Sequence, residues 1–123
     1  MNFLIVFVGG GLGAALRHLI NLLAMRAFDL QFPYATLFIN VSGCFVIGLF
    51  LPWLTDGKHD AWRYLLPIGF VGAYTTFSTY EYEALRLIES GAWKGLASYV
   101  VLSNGVGLVA VWMGVMIGKR VFY

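Results

Sequence analysis

The stretch Gly69–Glu83, GFVGAYTTFSTYEYE, decides the fold because it interrupts an apolar segment of membrane-spanning length. It contains two glycines, two adjacent threonines and a further Ser-Thr pair. Hydroxyl side chains compete with backbone N–H groups for the carbonyls of transmembrane helices, and this competition bends such helices. The pattern predicts a helix that is broken in mid-membrane, where released carbonyl oxygens can hold a cation. The alternative is a kinked packing helix with Glu81 and Glu83 at the membrane interface.

The composition around this stretch predicts an integral membrane protein. Of the 123 residues, 60% are hydrophobic and 11% are charged, and the mean hydropathy is +0.80. A soluble domain of this size needs a polar shell, whereas side chains that face lipid must be apolar. The net charge of +2 is too small, and its residues too scattered, to indicate a nucleic-acid partner. Membrane lipid is therefore the expected surrounding of the chain.

Four segments are long enough to cross a bilayer, which takes roughly 20 helical residues. They lie at about residues 2–26, 34–54, 62–88 and 92–121, and short polar connections join them. The prediction is an all-α membrane protein with four transmembrane helices in a single domain. Because no segment remains for a soluble domain, any function must reside in the membrane part.

The eight basic residues divide evenly between the two sides of the predicted helices. One side carries Lys58, Arg63, Lys119 and Arg120, and the other carries Arg17, Arg26, Arg86 and Lys94. Orientation normally follows an excess of Lys and Arg in cytoplasmic loops, and here there is no excess. The balance predicts dual topology, in which oppositely inserted copies pair as an antiparallel homodimer. The alternative is a balance that arose by chance.

Other polar side chains at membrane depth have more than one interpretation, because such groups are costly unless they are paired or hydrated. Arg17 either extends to the interface or lines a water-filled vestibule that attracts an anion. Asn40, one turn after Thr36, makes either an interhelical hydrogen bond or a contact to a permeating ion. Tyr99 and Ser103 share one face of the fourth segment, and they either bond neighbouring helices or line a pore.

No arrangement of side chains in the sequence indicates an enzyme. Ser78 has no nearby histidine, and His18 and His59 are expected near opposite ends of the bundle. The single cysteine, Cys44, excludes an internal disulfide and leaves no cysteine cluster for a metal. A transport or binding function is therefore expected.

Three blocks of sequence together resemble the CrcB/Fluc family of fluoride channels. They are GGGLGAALRH (Gly9–His18), ATLFINVSGCFVIG (Ala35–Gly48) and GFVGAYTTFSTY (Gly69–Tyr80), in this order on the four predicted helices. The resemblance implies a passive, fluoride-selective channel that relieves cytoplasmic fluoride toxicity from a bacterial inner membrane. It also implies an antiparallel, dual-topology homodimer with a structural Na⁺ ion at its centre.

The resemblance further implies roles for individual residues. The carbonyl oxygens of Gly72 and Thr75 would bind the Na⁺, and Phe77 and Tyr80 would place their rings beside the permeating fluoride. Asn40 would be a pore amide, and Arg17 would lie in an aqueous vestibule. Further candidates for the polar part of the pathway are Thr36, Ser78, Thr79, Glu83, Tyr99 and Ser103.

Two residues depart from the usual family pattern. Tyr80 stands where the family usually has phenylalanine, and His18 stands where an aromatic residue such as Tyr or Trp usually follows the arginine. The edge of an aromatic ring carries the positive part of its quadrupole, so Phe77 can face an anion edge-on. This argument suits fluoride but does not select it over chloride or hydroxide, so the identity of the anion rests on the resemblance.

Two other functions compete with the channel. A small proton-coupled multidrug exporter also has four helices and an antiparallel dimer, but it needs a carboxylate within the membrane. The first segment has none, and Glu83 lies toward the end of the third segment. A non-transporting subunit of a membrane assembly is the second alternative, and it would require the interruption of the third helix to be incidental.

Overall fold

The computed structural model describes residues 2–29, 31–55, 57 and 59–123. All regular structure in these residues is helical, which confirms the predicted all-α fold. Five helices follow one another: α1 (Asn2–Ala27), α2 (Tyr34–Leu54), α3 (residues 60–74), α4 (Phe77–Glu89) and α5 (Trp93–Phe122). Lys58, which belongs to the count of basic residues above, lies outside the described residues.

The third predicted segment is divided into α3 and α4. α3 contains a π-helical stretch, Tyr64–Val71, that includes Pro67. Proline has no backbone N–H, and its ring clashes with the carbonyl four residues earlier, so a wider turn accommodates it. After α3, Thr75 and Thr76 have extended backbone with ψ angles of 158° and 118°. The N–H of Thr75 still donates to the carbonyl of Val71 at 3.0 Å, and helical hydrogen bonding stops after this bond and begins again in α4.

A tight Schellman turn connects α4 to α5. Gly91 has a φ of +71°, a conformation that favours glycine because other residues meet a steric clash there. The N–H of Gly91 donates to the carbonyl of Ile88 at 3.0 Å, and the N–H of Ala92 donates to that of Leu87 at 2.9 Å. These are the two hydrogen bonds that define the motif. The chain thus reverses direction at once, and α5 packs back along α4.

Glycines let α1 pack directly on the backbone of α3. A Cβ atom added at Gly9 would overlap the carbonyl oxygen of Leu65, and one added at Gly13 would overlap that of Phe70. Small residues at such positions bring two helix backbones together, which is the usual basis of helix association in membranes.

α2 and α5 form a second closely packed pair. A Cβ atom added at Gly114 would overlap the carbonyl oxygen of Phe45, and one added at Gly118 would overlap that of Leu49. Gly114 and Gly118 are one turn apart, so they form a strip on α5 that accepts the backbone of α2. These two glycines of the fourth predicted segment therefore serve helix packing.

Three helices, α1, α2 and α5, are each long and apolar enough to cross a membrane. The 26 residues of α1 extend over about 39 Å at about 1.5 Å per residue. Large apolar side chains are exposed on the outer faces of α1 and α5, among them Phe3, Phe7, Leu108 and Trp112. Such faces are stable in lipid and unstable in water. The chain is a multi-pass membrane protein.

We expect Gly13→Ala to destabilise the protein, because the new methyl group overlaps the Phe70 carbonyl and α1 must move away from α3. Overpacking of this kind costs about 1–3 kcal/mol. Gly11→Ala is the matched control, since no atom lies within 4 Å of a Cβ placed there. The measurement is the midpoint temperature of thermal unfolding in detergent, with the loss of folded protein monitored by gel filtration. Equal midpoints for the two variants would show that α1 and α3 are not in close contact.

Candidate functional site

Asn40 bridges the point at which helical structure is interrupted. The backbone N–H of Thr76 donates to Oδ1 of Asn40 at 2.8 Å, and Nδ2 of Asn40 donates to the carbonyl oxygen of Thr76 at 3.0 Å. The amide thereby satisfies both backbone groups of a residue that has left the helix. This contact is the interhelical hydrogen bond that was one of two interpretations of Asn40. The second hydrogen of Nδ2 is not used in this pair, and it remains a donor.

Thr76 is also the N-cap residue of α4. Its Oγ1 accepts a hydrogen bond from the N–H of Thr79 at 3.3 Å and donates one to Oγ1 of Thr79 at 3.1 Å. Threonine suits this position because its hydroxyl satisfies an N–H that has no partner within the helix. Since the hydroxyl of Thr79 accepts this bond, its own hydrogen points elsewhere. Thr79 therefore presents a donor next to the interruption.

The same hydrogen bonds remove the helical donors of two carbonyl oxygens. In a continuous α-helix the N–H of Thr76 would donate to the carbonyl of Gly72, and the N–H of Thr79 would donate to that of Thr75. Here these N–H groups donate to the side chains of Asn40 and Thr76. The carbonyl oxygens of Gly72 and Thr75 are left without those donors. They are the two oxygens that the resemblance to the CrcB/Fluc family assigns to Na⁺.

Glu83 on α4 joins α2 to α5. Its Oε1 accepts a hydrogen bond from the Thr36 hydroxyl at 3.0 Å, and its Oε2 accepts one from the Tyr99 hydroxyl at 2.7 Å. Thr36 is 1% exposed and Tyr99 is 0% exposed. Hydrogen bonds to a charged acceptor are stronger than neutral ones, and a setting of low dielectric strengthens them further. The carboxylate thus holds three helices together, and each of its oxygens has a donor.

Phe77 and Tyr80 follow the interruption on one face of α4. Their ring centroids are 5.9 Å apart, and the ring of Tyr80 lies 5.0 Å from that of Tyr99. Phe77 is 74% exposed on the single chain, whereas Tyr80 is half-buried. The hydroxyl of Tyr80 is 3.4 Å from Nδ2 of Asn104 on α5. A row of aromatic rings therefore leads from the open face of α4 to the buried Tyr99.

The two serine candidates have different surroundings. Ser103 lies in a π-helical stretch of α5, Leu102–Val106, and its Oγ is buried with no hydrogen-bond partner among the described residues. The side chain of Asn104 donates to the carbonyl of Val100 at 2.9 Å, and this competition with the backbone favours a wider turn. Ser78 is exposed. A buried hydroxyl such as that of Ser103 is costly unless an acceptor reaches it.

A cavity of about 1140 Å³ lies beside α4, at the end of the bundle where α1 ends and α2 begins. Its lining includes Thr79, Glu83, Asn21 and Arg86, so it leads from the end of the bundle to the polar side chains of α4. Arg17 is half-buried one turn from Asn21, whose side chain donates to the Arg17 carbonyl at 3.0 Å. Among the described residues that line the cavity, Arg86 is the basic one. The vestibule role of Arg17 stays a prediction.

Three contributors to this site were not among the predicted site residues. They are the N-cap Thr76 and the cavity residues Asn21 and Arg86. Threonine is a preferred N-cap residue, and its hydroxyl reaches the N–H three residues later, which identifies Thr76 in retrospect. Arg86 is three residues after Glu83 and so lies on the same face of α4. Asn21 has no comparable signal, because its place depends on the rotation of α1.

Comparison with known proteins places the chain in a family. The family described as CrcB-like protein, Camphor Resistance (CrcB), matches residues 4–115. The chain is 44% identical to a protein of Acidobacterium capsulatum named fluoride-specific ion channel FluC, over 98% of each chain. Proteins of the same name from Solibacter usitatus and Coxiella burnetii are 41% and 37% identical, over 98% of this chain and 100% and 99% of theirs. Because these matches extend over almost its whole length, the chain belongs to the CrcB family.

Proposed function

We propose that the chain is a subunit of a fluoride-selective ion channel, which lets fluoride leave the cytoplasm passively through a bacterial inner membrane. Such a channel relieves fluoride toxicity by transport rather than by catalysis. The observation that carries the proposal is the near full-length similarity, at 37–44% identity, to bacterial proteins named fluoride-specific ion channels. The hydrogen-bond donors around α4 supply independent support.

These donors suit a small anion. Fluoride is a strong hydrogen-bond acceptor, so a pathway must replace its water with donors. The structure offers the unpaired hydroxyl of Ser103, the free hydroxyl hydrogen of Thr79 and the second amide hydrogen of Asn40. None of the three carries a full charge. Conduction requires binding that is weak enough for the ion to leave, and neutral donors meet this requirement.

The aromatic rings supply a second kind of contact. The edges of Phe77 and Tyr80 carry partial positive charge, and the two rings lie side by side after the interruption. We place the fluoride pathway along α4, with these rings on one wall and the hydroxyls of Ser78, Thr79 and Ser103 on the other. Thr36 and Tyr99 support that wall through their hydrogen bonds to Glu83.

The two hydrogen bonds that Glu83 accepts argue against the multidrug exporter. An exporter of that type needs a membrane carboxylate that alternates between a proton and a cationic drug. Each oxygen of Glu83 accepts a hydrogen bond from a buried hydroxyl, and the two donors belong to different helices. This arrangement holds the carboxylate in place, which suits a structural role in a channel wall.

We also propose that a Na⁺ ion is held by the carbonyl oxygens of Gly72 and Thr75 from two copies of the chain. Carbonyls at interruptions of membrane helices coordinate Na⁺ in other folds. The fit is supported by the diverted donors of both oxygens and by the exposure of Gly72. Two oxygens from each copy give four ligands. A cation in this position offsets the repulsion between anions in two adjacent pathways.

An antiparallel homodimer is supported by the surface around the interruption. Gly72, Phe77 and Ser78 are all exposed on the single chain. Carbonyl oxygens without donors are costly in lipid, so a protein surface or an ion must cover them. The even division of the eight basic residues permits the two opposite insertions that such a dimer needs.

Fluoride efflux from liposomes that contain the purified protein is the direct test of the channel. We expect rapid release of fluoride and little release of chloride, which is larger and a weaker hydrogen-bond acceptor. Ion-selective electrodes measure both ions after a potassium ionophore removes the membrane potential, and protein-free liposomes are the control. Equal release of the two ions, or release of neither, would contradict the proposal.

Phe77→Ile should lower fluoride efflux roughly tenfold or more, because an aliphatic side chain has no quadrupole with which to stabilise the ion. A loss of about 1.4 kcal/mol of ion stabilisation corresponds to a tenfold lower rate. Phe7→Ile is the matched control, since Phe7 is 77% exposed and Phe77 is 74% exposed, and Phe7 lies on α1 far from α4 in the sequence. Tyr80→Phe should be tolerated because it keeps the ring. Full activity of Phe77→Ile would mean that the rings serve packing alone, and loss of activity in Tyr80→Phe would make its hydroxyl an ion ligand.

Adding three lysines to the C-terminus should force one orientation on the chain, because nothing in the even basic count opposes them. Cysteine accessibility on each side of the membrane measures that orientation. The biased chain should lose fluoride efflux alone and regain it when coexpressed with a chain biased in the opposite direction. If the biased chain conducts by itself, the antiparallel dimer is wrong.

A further inference from the structure

Two hydroxyl groups connect α2 to the last residue of α3. The Tyr74 hydroxyl lies 2.9 Å from Oγ of Ser42, and Oγ of Ser42 donates to the carbonyl oxygen of Ile39 at 3.1 Å. Because the hydrogen of Ser42 is used in that second bond, Tyr74 is the donor and Ser42 the acceptor in the first. Tyr74 is 5% exposed, so its hydroxyl depends on Ser42 for a partner.

Gly43 makes room for this contact. A Cβ atom added at Gly43 would lie 3.4 Å from Cδ1 of Tyr74 and would overlap Cγ2 of Thr75. The ring of Tyr74 therefore crosses α2 at its glycine before it reaches Ser42. The methyl group of Thr75 lies against the same glycine.

One turn of α2 thus contacts three consecutive residues at the interruption. Ser42 accepts from Tyr74, Gly43 contacts Thr75, and Asn40 binds the backbone of Thr76 at 2.8 and 3.0 Å. Asn40 fixes the chain after the interruption, and the Ser42–Tyr74 pair fixes the chain before it. Without the second contact the end of α3 keeps its packing on α1 and on Gly43 but loses this hydrogen bond to α2, so its rotation about its own axis is less strongly fixed.

Tyr74 lies in the sequence between the two proposed Na⁺ ligands, so its contact with Ser42 affects the direction of both carbonyls. The carbonyl of Gly72 lies before Tyr74, and that of Thr75 lies directly after it. A rotation of the end of α3 changes the direction of both carbonyls. Alignment of ligand oxygens within a few tenths of an ångström decides how well a site holds its ion.

We propose that Tyr74 and Ser42 are positioning residues, whose hydroxyl pair sets the direction of the Gly72 and Thr75 carbonyls toward Na⁺. The inference rests on the proposed function, because it requires the cation there. Neither side chain contacts the ion. Loss of the pair should weaken Na⁺ binding and leave the other contacts of the bundle in place.

The test measures Na⁺ binding through stability rather than through ion flux. Purified protein in detergent is heated at a series of NaCl concentrations, with N-methylglucamine chloride keeping the ionic strength constant. The Na⁺ concentration that gives half of the maximal stabilisation is the readout. Tyr74→Phe keeps the ring that packs on Gly43 and removes the hydroxyl alone, and we expect it to raise this concentration about fivefold, which corresponds to ~1 kcal/mol.

Two further variants separate positioning from general stability. Ser42→Ala leaves the Tyr74 hydroxyl buried without its partner and should raise the half-saturating concentration at least as much as Tyr74→Phe does. Ser42→Thr retains the hydroxyl and should restore the wild-type value. Ser42→Thr and Tyr74→Phe are both mild changes. The comparison of these two variants with the wild type therefore remains possible if Ser42→Ala does not fold.

Tyr123→Phe is the control for removal of a tyrosine hydroxyl that bonds α2 away from the interruption. The Tyr123 hydroxyl donates to the carbonyl of Pro52 at 2.7 Å, about 15 Å along α2 from Ser42, and this bond is exposed. Its removal should leave the half-saturating Na⁺ concentration unchanged.

The outcomes distinguish the inference from the function on which it rests. If the wild-type protein gains no stability from Na⁺ over N-methylglucamine, the proposed cation site is wrong, and the inference falls with it. If the wild type responds and Tyr74→Phe has the same half-saturating concentration, the inference alone is overturned. A lower unfolding temperature with an unchanged Na⁺ concentration would likewise make the pair a packing contact only.

Discussion

The rest of the structure depends on the two hydrogen bonds between the side chain of Asn40 and the backbone of Thr76. Within a bilayer no water is present to satisfy a backbone group that leaves a helix, and each such group costs several kcal/mol if it is left alone. Asn40 supplies both missing partners at once. The interruption of the helix is therefore stable, and the Thr76 hydroxyl becomes available to begin α4.

A short amide side chain can do this only if α2 lies close to the interruption. Gly43 permits that approach, because any side chain there would overlap the methyl group of Thr75. The closeness of α2 is reinforced on its other side by the glycines of α5, which accept the backbone of α2. Helix packing and the chemistry of the site are thus set by the same constraint, the distance between α2 and its neighbours.

The sequence predicted the coarse architecture and the region of the site, but not its pairings. Apolar length alone gave an all-helical, multi-pass protein, since the bilayer fixes how long such segments must be. The extended residues Thr75 and Thr76 fall within the hydroxyl-rich stretch that the sequence singled out. The partner of Thr76 lies 36 residues away, and its identity depends on how two helices are rotated relative to each other.

The same limit explains the other differences. The vestibule role of Arg17 remains a prediction, and the cavity beside α4 is lined by Asn21, one turn further along the same face of α1, and by Arg86. Hydrophobic periodicity is weak in a helix that is apolar on all sides, so the sequence does not show which face of α1 meets this cavity. The π-helical turns were likewise beyond prediction, because they shift the register of a helix by a single residue.

The glycine-packed pairs also determine the order in which the bundle forms. α1 packs on α3 and α2 packs on α5, so neither pair joins helices that are consecutive in the chain. The partners α1 and α3, like α2 and α5, must therefore each reside in the bilayer before they meet. During that interval Asn40 has no Thr76 to bond, and Glu83 lacks Thr36. A partly assembled chain exposes an amide and a carboxylate to hydrocarbon, and completion of the bundle is the step that first shields them.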